Sequence, residues 1–284
     1  MSSHPAVSVL MPVYNTKEAH LREAIDSILG QTFKDFELLI LNDCSTDPEV
    51  EKTVLSYDDK RIKYSVNEQN LGISGSRNRL VKLAKGKYLA VMDHDDISRP
   101  ERLAKQVEYM EQHPETGVVG SFARELLSGK KLTLPVNDED IKLALVFRSS
   151  IFHPASMIRR ELFNIAAYEN IFTPAEDYAL WCRLIRHTCF HNIPEILFIY
   201  RNHKDNTSHK QKRLTAEASR NIRIFTKREN PDLYAAALEK ATITTRVNLF
   251  GFLPLLSIRK SGGRTKCKLF DLITLYSSKT KTVV

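Results

Sequence analysis

Short apolar runs alternate with helical repeats through the first half of the chain. Four apolar runs predict buried strands, at 7–11, 36–41, 61–66 and 88–92. Apolar residues recur at helical spacing from Leu21 to Ile28, which predicts an amphipathic helix between the first two strands. A second helix is predicted over 74–84. This alternation is typical of an α/β fold with a mostly parallel central sheet flanked by helices.

The second half continues the pattern less regularly and then changes character. Further strands are predicted at 116–122, 156–158 and 196–200, and further helices near Pro100 and at 176–186. From about Thr207 onward the pattern is that of a basic amphipathic helix. We therefore expect a catalytic domain over 1–206 and a basic helical C-terminal extension over 207–284.

Polar motifs directly follow three of the predicted strands. Pro12–Asn15 follows the first strand, Asn42–Asp43 the second and Asp93–Asp96 the fourth. Open parallel sheets bind their ligands at the carboxyl ends of their strands. These three motifs therefore mark the expected functional site.

The motif Asp93-His94-Asp95-Asp96 places three carboxylates within four residues. Carboxylates this close repel one another, so a fold that gathers them commonly balances their charge with a cation. Oxygen ligands suit Mg²⁺ or Mn²⁺, whose sites stay open to water and substrate phosphate. A solvated acidic turn is the alternative, but the position after a buried strand favours a metal. His94 alternates away from the carboxylates and is interpreted as a loop residue.

Charge is distributed unevenly along the 284 residues. From Arg201 onward there are 18 Lys and Arg against 6 Asp and Glu, a net charge of +12. The first 200 residues carry 24 against 28, a net charge of −4. The basic tail is therefore interpreted as a surface that meets an anionic partner.

The cellular location is predicted from cysteine usage and from apolar stretches. The four cysteines show neither zinc-site spacing nor a disulfide framework, which favours a reducing cytosol. Met1–Pro5 is polar, so no secretory signal is expected. The longest apolar stretch, from Val247 to Ile258, is shorter than the roughly 20 residues that a membrane-spanning helix needs.

Seven sequence blocks, in order, resemble those of family 2 glycosyltransferases. The first three are Val-Ser-Val-Leu-Met-Pro-Val-Tyr-Asn at 7–15, Gln31-Thr32-Phe33 with Asp35-Phe36-Glu37, and Asn42-Asp43-Cys44-Ser45-Thr46-Asp47. The next two are Asn70-Leu71-Gly72 with Arg77-Asn78, and Met92-Asp93-His94-Asp95-Asp96. The last two are Glu176-Asp177-Tyr178-Ala179-Leu180-Trp181 and Tyr200-Arg201-Asn202-His203. One block alone is a weak signal, whereas the ordered set runs from residue 7 to about residue 210.

The resemblance implies a GT-A fold, with a Rossmann-like nucleotide-binding half over about 5–98 and an acceptor-binding half over about 99–206. It places Asp43 against the uracil ring of the donor, and it assigns the metal and ribose to Asp95 and Asp96, with Asp96 the first choice for direct coordination. Arg77 matches a basic residue near the nucleotide, and a surface helix cation is the alternative. The residues assigned to the nucleotide sugar are Pro12, Tyr14, Asn15, Asp43, Arg77, Asp93 and Asp95.

The pair Glu176-Asp177 opens a predicted helix after a long loop. A carboxylate at this point can deprotonate an acceptor hydroxyl as it attacks the anomeric carbon. Acidic residues are also favoured at helix starts by the macrodipole, which accounts for one of the two. The family match makes Asp177 the base, and Glu176 then orients the base or the acceptor. Trp181, one turn further on, is either an acceptor platform or, slightly favoured, a core residue.

Two features of the match leave alternatives open. The family commonly has an acid-Asp-Gly-Ser sequence after the second strand, and here Asn42 and Cys44 replace the first acid and the glycine. Because cysteine adopts a positive φ less readily than glycine, a different turn is expected there, while Asp43 keeps its role. His203 is assigned to the metal or the diphosphate, with a polar loop residue as an equal alternative. His153 is a weaker candidate of the same kind.

These observations predict an inverting, metal-dependent glycosyltransferase that moves a single sugar. The expected donor is a UDP-linked hexose or N-acetylhexosamine, and the cofactor is Mn²⁺ or Mg²⁺. The expected acceptor is a glycan or lipid-linked glycan of a bacterial surface polymer such as lipopolysaccharide, capsule or exopolysaccharide. The location expected is the cytoplasm, with peripheral contact to the anionic inner face of the cell membrane. Processive synthases of this family carry a Q-x-x-R-W block and membrane helices, and this chain is expected to have neither.

Two other classes of protein are weighed against this one. A sugar nucleotidyltransferase would need a glycine-rich phosphate loop after the first strand, and Pro-Val-Tyr-Asn contains no glycine. A nucleic-acid-binding protein, suggested by the pI of about 9.2, would interleave basic and aromatic residues across the fold. The catalytic half is instead net acidic, so no nucleic-acid partner is expected.

Overall fold

The computed structural model of the chain describes residues 4–203, 206 and 210–240, and the backbone at 243–249, 253–261, 264–269 and 273–279. The chain forms two units, Met1–Phe225 and Thr226–Val284. A helix at Lys212–Glu229 begins beyond the predicted boundary at 206, and most of its residues belong to the first unit.

Strands and helices alternate in the order that the hydrophobic pattern predicts. The strands of the first unit are β1 (Val7–Val13), β2 (Phe36–Asn42), β3 (Ile62–Val66), β4 (Tyr88–Val91), β5 (Ile97–Ser98), β6 (Thr116–Glu125), β7 (Lys131–Leu132), β8 (Met157–Arg159) and β9 (Cys189–Tyr200). Among the described residues the helices are α1 (Glu18–Leu29), α2 (Glu49–Leu55), α3 (Gly72–Leu83), α4 (Arg102–Gln112), α5 (Asp138–Leu145), α6 (Glu176–Leu184), α7 (Lys212–Glu229) and α8 (Pro231–Lys240). Single 3-10 turns lie at His153–Ala155, Arg160–Asn164 and Asn170–Phe172.

The strands of the first unit form one nine-stranded mixed sheet. Its order is β3-β2-β1-β4-β8-β6-β9-β5, with β7 beside β6. Strands β3, β2, β1 and β4 are parallel, with Val7 opposite both Phe36 and Tyr88, so their carboxyl ends meet at one edge. Strand β8 is antiparallel to both β4 and β6. The three polar motifs that follow predicted strands therefore lie at the ends of strands in the parallel half. The α/β fold class predicted from the sequence is confirmed.

Side chains of the central strands alternate between two apolar layers. Val7, Val9 and Met11 face one layer, into which α1 inserts its buried side chains. Leu10 faces the other, where α3 contributes Leu80. The predicted helix face is confirmed, since α1 buries Leu21, Ala24, Ile25 and Ile28 completely. Burial of each large aliphatic side chain stabilises the fold by about 1.5–3 kcal/mol, so this packing fixes the strand ends on which the site is built.

The second unit differs from the helical extension that the sequence predicts. Helices α7 and α8 are present, but the backbone that follows forms a four-stranded antiparallel sheet, β10 (Ile243–Leu249), β11 (Leu253–Ser261), β12 (Arg264–Leu269) and β13 (Ile273–Lys279). The prediction of helix is wrong for these residues. The segment from Ile243 to Val247 is rich in β-branched residues, which favour strands, and Pro254 disfavours a helix. Within the described part of the chain, no helix is long and apolar enough to cross a membrane.

Candidate active site

Asp43 lies just beyond the carboxyl end of β2 and is held from three directions. Its backbone N–H donates to the carbonyl of Val13 at the end of β1 (2.8 Å). Its Oδ1 accepts from Asn67 Nδ2 (2.5 Å) and from the backbone N–H of Leu71 (2.8 Å). Gly72, which follows Leu71, has a φ of 71°, a conformation that glycine adopts without strain. This conformation lets the chain turn directly into α3. Asp43 is 5% exposed, so the structure presents a fixed carboxylate at the sheet edge.

The loop after β1 is fastened to the loop after β2 by Asn15. Its Oδ1 accepts from the backbone N–H groups of Thr46 (2.9 Å) and Asp47 (3.3 Å), and its own N–H donates to Ser45 Oγ (3.0 Å). Pro12 is buried in β1, whereas Tyr14 is exposed. The two loops therefore form one wall beside Asp43, with the Tyr14 ring accessible.

The turn at Cys44 keeps a left-handed conformation. Its φ is 59, although cysteine replaces the glycine common in similar proteins. Cys44 thus adopts a positive φ despite its side chain, so the reason for expecting a different turn does not hold. Asn42 Oδ1 accepts from the backbone N–H of Ser45 (2.8 Å), and this contact holds the loop in place without a glycine.

The acidic turn after β4 is covered by the segment that follows β9. The backbone N–H of Arg201 donates to Asp96 Oδ1 (2.7 Å), and Arg201 Nε donates to the carbonyl of Asp95 (2.7 Å). The guanidinium group of Arg201 also pairs with Glu23 of α1. His203 Nε2 lies 2.8 Å from Asp95 Oδ2. The acidic motif and the late Tyr-Arg-x-His block are therefore in direct contact, as a shared site requires.

The carboxyl group of Asp96 is almost fully buried. Burial raises its pKa well above the ordinary value, and the neighbouring charges of Asp95 and Asp93 add to this effect. Its Oδ2 has no hydrogen-bond partner among the described residues. A buried carboxylate oxygen without a partner is costly, and a cation is one way to satisfy it.

The donor atoms at the acidic turn determine whether it can hold a divalent cation. No group of three or more His, Cys, Asp and Glu side chains within the described ranges is arranged to hold a metal ion. Asp95 and His203, whose side chains lie 2.8 Å apart, and the orphaned Oδ2 of Asp96 nevertheless supply oxygen and imidazole donors at this turn. Mg²⁺ and similar ions are often held by one or two carboxylates together with substrate phosphates. The donor set fits such an open site and does not fit a closed all-protein cage.

Arg102 is a buried cation that the sequence analysis did not single out. It is fully buried beneath the acidic turn, where Nη2 donates to the carbonyls of Val91 (2.8 Å) and Ser156 (3.0 Å). Burial lowers its pKa to about 9, and the charges of Asp96 and Asp93 oppose this shift. Arg102 is the first residue of α4, two residues after Pro100, and no local sequence signal marks it as buried.

Asn67 is a second residue that the sequence analysis missed. Its Nδ2 donates to Asp43 and to Ser76 Oγ (2.9 Å), and its Oδ1 accepts from Arg79. It directly follows the end of β3. The reasoning that selected polar residues after the other strands would have selected it as well.

Glu176 and Asp177 begin α6, as predicted, and they face the acidic turn through Arg77. Arg77 Nη1 lies 2.5 Å from Glu176 Oε1, and Arg77 Nη2 lies 3.2 Å from Asp93 Oδ1. The side chain of Arg77 is only 8% exposed, so it is not a surface helix cation. Burial alone would lower the pKa of Arg77, but the charges of Asp93 and Glu176 raise it above the ordinary value. This arginine therefore stays charged and joins two of the predicted motifs.

Asp177 is the partly buried carboxylate of the pair. Burial and the charge of Glu176 raise its pKa, the charge of Arg77 opposes them, and the result is a pKa of about 6. A carboxylate with such a pKa is mostly ionised at neutral pH and is a stronger proton acceptor than an ordinary aspartate. The electrostatic environment of Asp177 is therefore suited to general base catalysis.

Trp181 and His153 belong to the core behind the site. Trp181 is fully buried, so it offers no platform to an acceptor, and the core alternative is the one that the structure supports. His153 Nε2 pairs with Tyr168 Oη (2.9 Å), and its ring lies 5.8 Å from that of Trp181. Burial lowers the pKa of His153 well below its ordinary value. The suggestion that His153 reaches a metal or diphosphate is wrong, because its ring is enclosed by these aromatic side chains.

Comparison with known sequences gives the family of the chain. The profile described as Glycosyl transferase family 2 matches residues 8–180. The chain belongs to this family. An uncharacterized glycosyltransferase of Methanocaldococcus jannaschii is 35% identical over 69% of this chain and 71% of its own length. An uncharacterized glycosyltransferase of Haemophilus influenzae is 31% identical over 96% of this chain and 87% of its own length.

Solved structures share the GT-A-like fold of this glycosyltransferase. Staphylococcus aureus TarS (residues 1–349), solved in complex with UDP-GlcNAc, superimposes with a TM-score of 0.61 at 18% identity, over 82% of this chain and 79% of that one. The mannosyltransferase PcManGT of Pyrobaculum calidifontis, solved with GDP-Man and Mn²⁺, gives a TM-score of 0.57 at 17% identity, over 85% and 77%. The matched family segment contains Asp43, the acidic turn and Asp177, whereas Arg201 and His203 lie beyond it.

Proposed function

We propose that this glycosyltransferase moves a single sugar from a nucleotide-diphosphate sugar to an acceptor hydroxyl, with inversion at the anomeric carbon. The observation that carries the proposal is the contact chain from the acidic turn to the predicted base. Asp93 and Glu176 are both held by Arg77, at 3.2 and 2.5 Å, although 83 residues separate them in sequence. A donor bound at the acidic turn would lie next to the residue that activates the acceptor.

The donor is proposed to be UDP-linked, with a hexose or N-acetylhexosamine as the sugar. Both hydrogen bonds that the structure gives the Asp43 carboxylate go to Oδ1, which leaves Oδ2 for an N–H of a base such as uracil. The wall formed by Pro12, Tyr14 and Asn15 would line the nucleoside, with Tyr14 able to stack. Asp93 and Asp95 would then meet the sugar and ribose. The complexes of TarS with UDP-GlcNAc and of PcManGT with GDP-Man support this class of donor.

Asp177 is proposed as the general base of a single in-line displacement. Its carboxylate takes the proton of the acceptor hydroxyl while the oxygen forms the new bond to the anomeric carbon. The bond from that carbon to the diphosphate breaks at the same time, and its electron pair leaves with the diphosphate. The transition state resembles an oxocarbenium ion, as in glycoside hydrolysis, and the carboxylates of Asp93 and Glu176 stabilise its positive charge.

A divalent cation, Mn²⁺ or Mg²⁺, is proposed to be held by Asp95, Asp96 and His203. Such a cation neutralises negative charge on a departing diphosphate. Asp95 and His203 are adjacent and partly exposed, whereas Asp96 is 1% exposed, so Asp95 and His203 would offer their donors to a cation from solvent and Asp96 would offer a buried oxygen. The PcManGT complex contains Mn²⁺, which supports the choice of ion.

The acceptor is proposed to be a glycan or lipid-linked glycan of a bacterial surface polymer, and the enzyme is proposed to work in the cytoplasm at the anionic inner face of the membrane. The supporting observation is the net charge of +12 after residue 200. In the first unit, α7 buries Ala218 and Ile222 and exposes Arg213 and Arg220. Cations near anionic lipid contribute about 1 kcal/mol each and are screened by salt.

A panel of UDP- and GDP-sugars tests the proposed function. The purified protein is incubated with each nucleotide sugar and Mn²⁺, and the released nucleoside diphosphate is measured, since transferases hydrolyse their donor slowly without acceptor. We expect release from at least one UDP-sugar, and release about 10²–10⁴-fold slower after Asp177→Asn. Nucleotide release that does not depend on Asp177, or release from none of the panel, would contradict the proposal.

A further inference from the structure

Helix α3 presents one face to the segment that leads into the predicted base. Ser74, Arg77 and Asn78 are three and four residues apart, so they share a helix face. Ser74 Oγ lies 2.9 Å from Thr173 Oγ1. Asn78 Nδ2 donates to the carbonyl of Tyr168 (2.8 Å), and its Oδ1 accepts from the N–H of the same residue (3.0 Å). The segment 168–173 is therefore fastened to α3 at both ends.

Arg77 completes this face at the point where α6 begins. Its guanidinium group pairs with Glu176 and Asp93, and its central carbon lies 5.6 Å from the centre of the Tyr168 ring. Arg77 and Glu176 are both buried. Breaking a buried pair by removing one partner leaves the other charge uncompensated, which commonly costs about 3–5 kcal/mol. The pairs with Arg77 therefore hold the carboxylates of Glu176 and Asp93 in fixed positions.

We propose that Arg77 is a positioning residue for sugar transfer, which fixes the start of α6, and with it Asp177, against the acidic turn. The inference rests on the proposed function, in which Asp177 is the base. It differs from the role that the resemblance assigns to Arg77, a contact with the nucleotide. Both terminal nitrogens of Arg77 are engaged by carboxylates of the protein, one of them on the acceptor side.

The geometry requires an arginine at this position. A guanidinium group offers donors on two branches, so it holds two carboxylates that approach from different elements. A lysine is a point charge on a flexible stem and can pair closely with only one of them at a time. Misplacement of a reacting group by about 1 Å can cost about 10²-fold in rate. Arg77→Lys should therefore keep the charge and lose much of the positioning.

The charge of Arg77 also acts on the base. Asp177 adjoins the carboxylate of Glu176, which raises its pKa, while Arg77 lowers it. Removal of the arginine should raise the pKa of Asp177 further, by about one unit. Because a general base works in its ionised form, the acid limb of the rate profile should move to higher pH.

The test uses the full chain and three variants: Arg77→Lys, Arg77→Gln and Arg77→Gln with Glu176→Gln. Turnover and KM are measured from pH 5 to pH 9 with the nucleotide sugar that the panel identifies, and UDP affinity is measured by calorimetry with Mn²⁺. We expect Arg77→Gln to lower kcat at least tenfold, to leave the UDP Kd within about threefold, and to move the acid limb up. The double variant should move the limb back down, because the charge of Glu176 is removed as well.

The alternatives give different results. A tenfold or larger rise in UDP Kd or donor KM, with the acid limb unmoved, would make Arg77 a donor contact and overturn the inference. A purely structural role would lower the melting temperature and leave the limb in place. If Arg77→Gln does not fold, Arg77→Lys decides, since wild-type turnover in that variant would also overturn the inference.

Failure of the proposed function is recognised separately. In that case the wild type releases nucleotide from no sugar in the panel, and the link between Arg77 and Asp177 is measured through stability. Asp177→Asn should stabilise the protein at pH 7 by more in the Arg77→Gln background than in the wild type. Equal gains in the two backgrounds would show that Arg77 does not act on Asp177.

Discussion

Replacing Asp177 by asparagine tests the base and its environment together. The pKa of about 6 means that Asp177 is about 90% ionised at pH 7 and about 10% ionised at pH 5. Wild-type kcat should therefore fall about tenfold between these values. Asparagine accepts no proton, and loss of a general base typically costs about 10²–10⁴-fold. Asp177→Asn should lose that factor at pH 7 and lose the acid limb as well.

The same pKa predicts how the substitution changes stability. The folded-state pKa of Asp177 lies about two units above the value of an unfolded aspartate, so the folded protein favours the protonated form. The group's contribution to stability is fully present below pH 4 and is lost as the pH rises through 6. Because asparagine resembles the neutral acid, Asp177→Asn should stabilise the protein at pH 7 by up to about 3 kcal/mol, and near pH 4 by almost nothing.

The assay combines donor hydrolysis from pH 5 to pH 9, UDP calorimetry and thermal unfolding at pH 4 and pH 7. Asp58→Asn, at an exposed position, is the matched control and should change none of the three. UDP affinity should stay within about twofold in Asp177→Asn, because the donor pocket lies on other elements. Near-normal turnover in Asp177→Asn together with loss in Glu176→Gln would reverse the two roles. An acid limb that persists in Asp177→Asn would assign it to another group.

Three further predictions concern the metal, the donor and the tail. EDTA should abolish transfer and Mn²⁺ or Mg²⁺ restore it, while Asp96→Ala should be inactive with a native circular dichroism spectrum; full activity in chelator would exclude the metal proposal. Asp43→Ala removes a carboxylate whose hydrogen bond to the nucleotide is worth about 1.5–3 kcal/mol, so UDP should bind about 10–100-fold more weakly in calorimetry. An unchanged Kd would show that the uracil ring does not contact Asp43. The full chain should co-sediment with anionic liposomes in a salt-sensitive way and a truncation ending at Thr244 should not; equal, salt-insensitive partitioning would make the tail structural.

The sequence predicted the parallel half of the sheet well because strands β1, β2 and β4 are buried on both faces. Runs such as Val7–Met11 and Phe36–Leu41 are apolar apart from Ser8 and Glu37, and this pattern leaves few alternatives. The polar residues at their ends then fall at one edge whatever the details of packing. Short elements such as β5 (Ile97–Ser98) carry too few residues for any periodicity and were not predicted.

The tail shows where the pattern fails. Basic residues outnumber acidic ones there and suggest the exposed face of a helix. The backbone instead forms strands β10–β13, each hydrogen-bonded to the next strand along the chain. Antiparallel neighbours need only a short connection, such as the one between Leu249 and Leu253, and local sequence does not reveal such pairing when both faces carry mixed residues. The helices α7 and α8 were predicted because their repeats extend over several turns.

The side-chain contacts within the site could not be predicted from the sequence, because they join residues that are far apart in the chain. Three arginines lie at the acidic groups, and each comes from a different element: Arg77 from α3, Arg102 from α4 and Arg201 from the segment after β9. Nothing in the chain order pairs Arg77 with Glu176, which lies 99 residues away. Such long-range pairs follow from the tertiary fold, so the sequence identified the participants and not their partners.

The net charge of the side chains at the site also supports the proposal of a divalent cation. The carboxylates gathered there are Asp93, Asp95, Asp96, Glu176 and Asp177. Three guanidinium groups lie near these five carboxylates: Arg77, the buried Arg102, and Arg201, which also pairs with Glu23. The excess of negative charge would repel a diphosphate, whose own charge is negative. A divalent ion at Asp95 and His203 would offset this repulsion, which is a further reason to expect that donor binding depends on a cation.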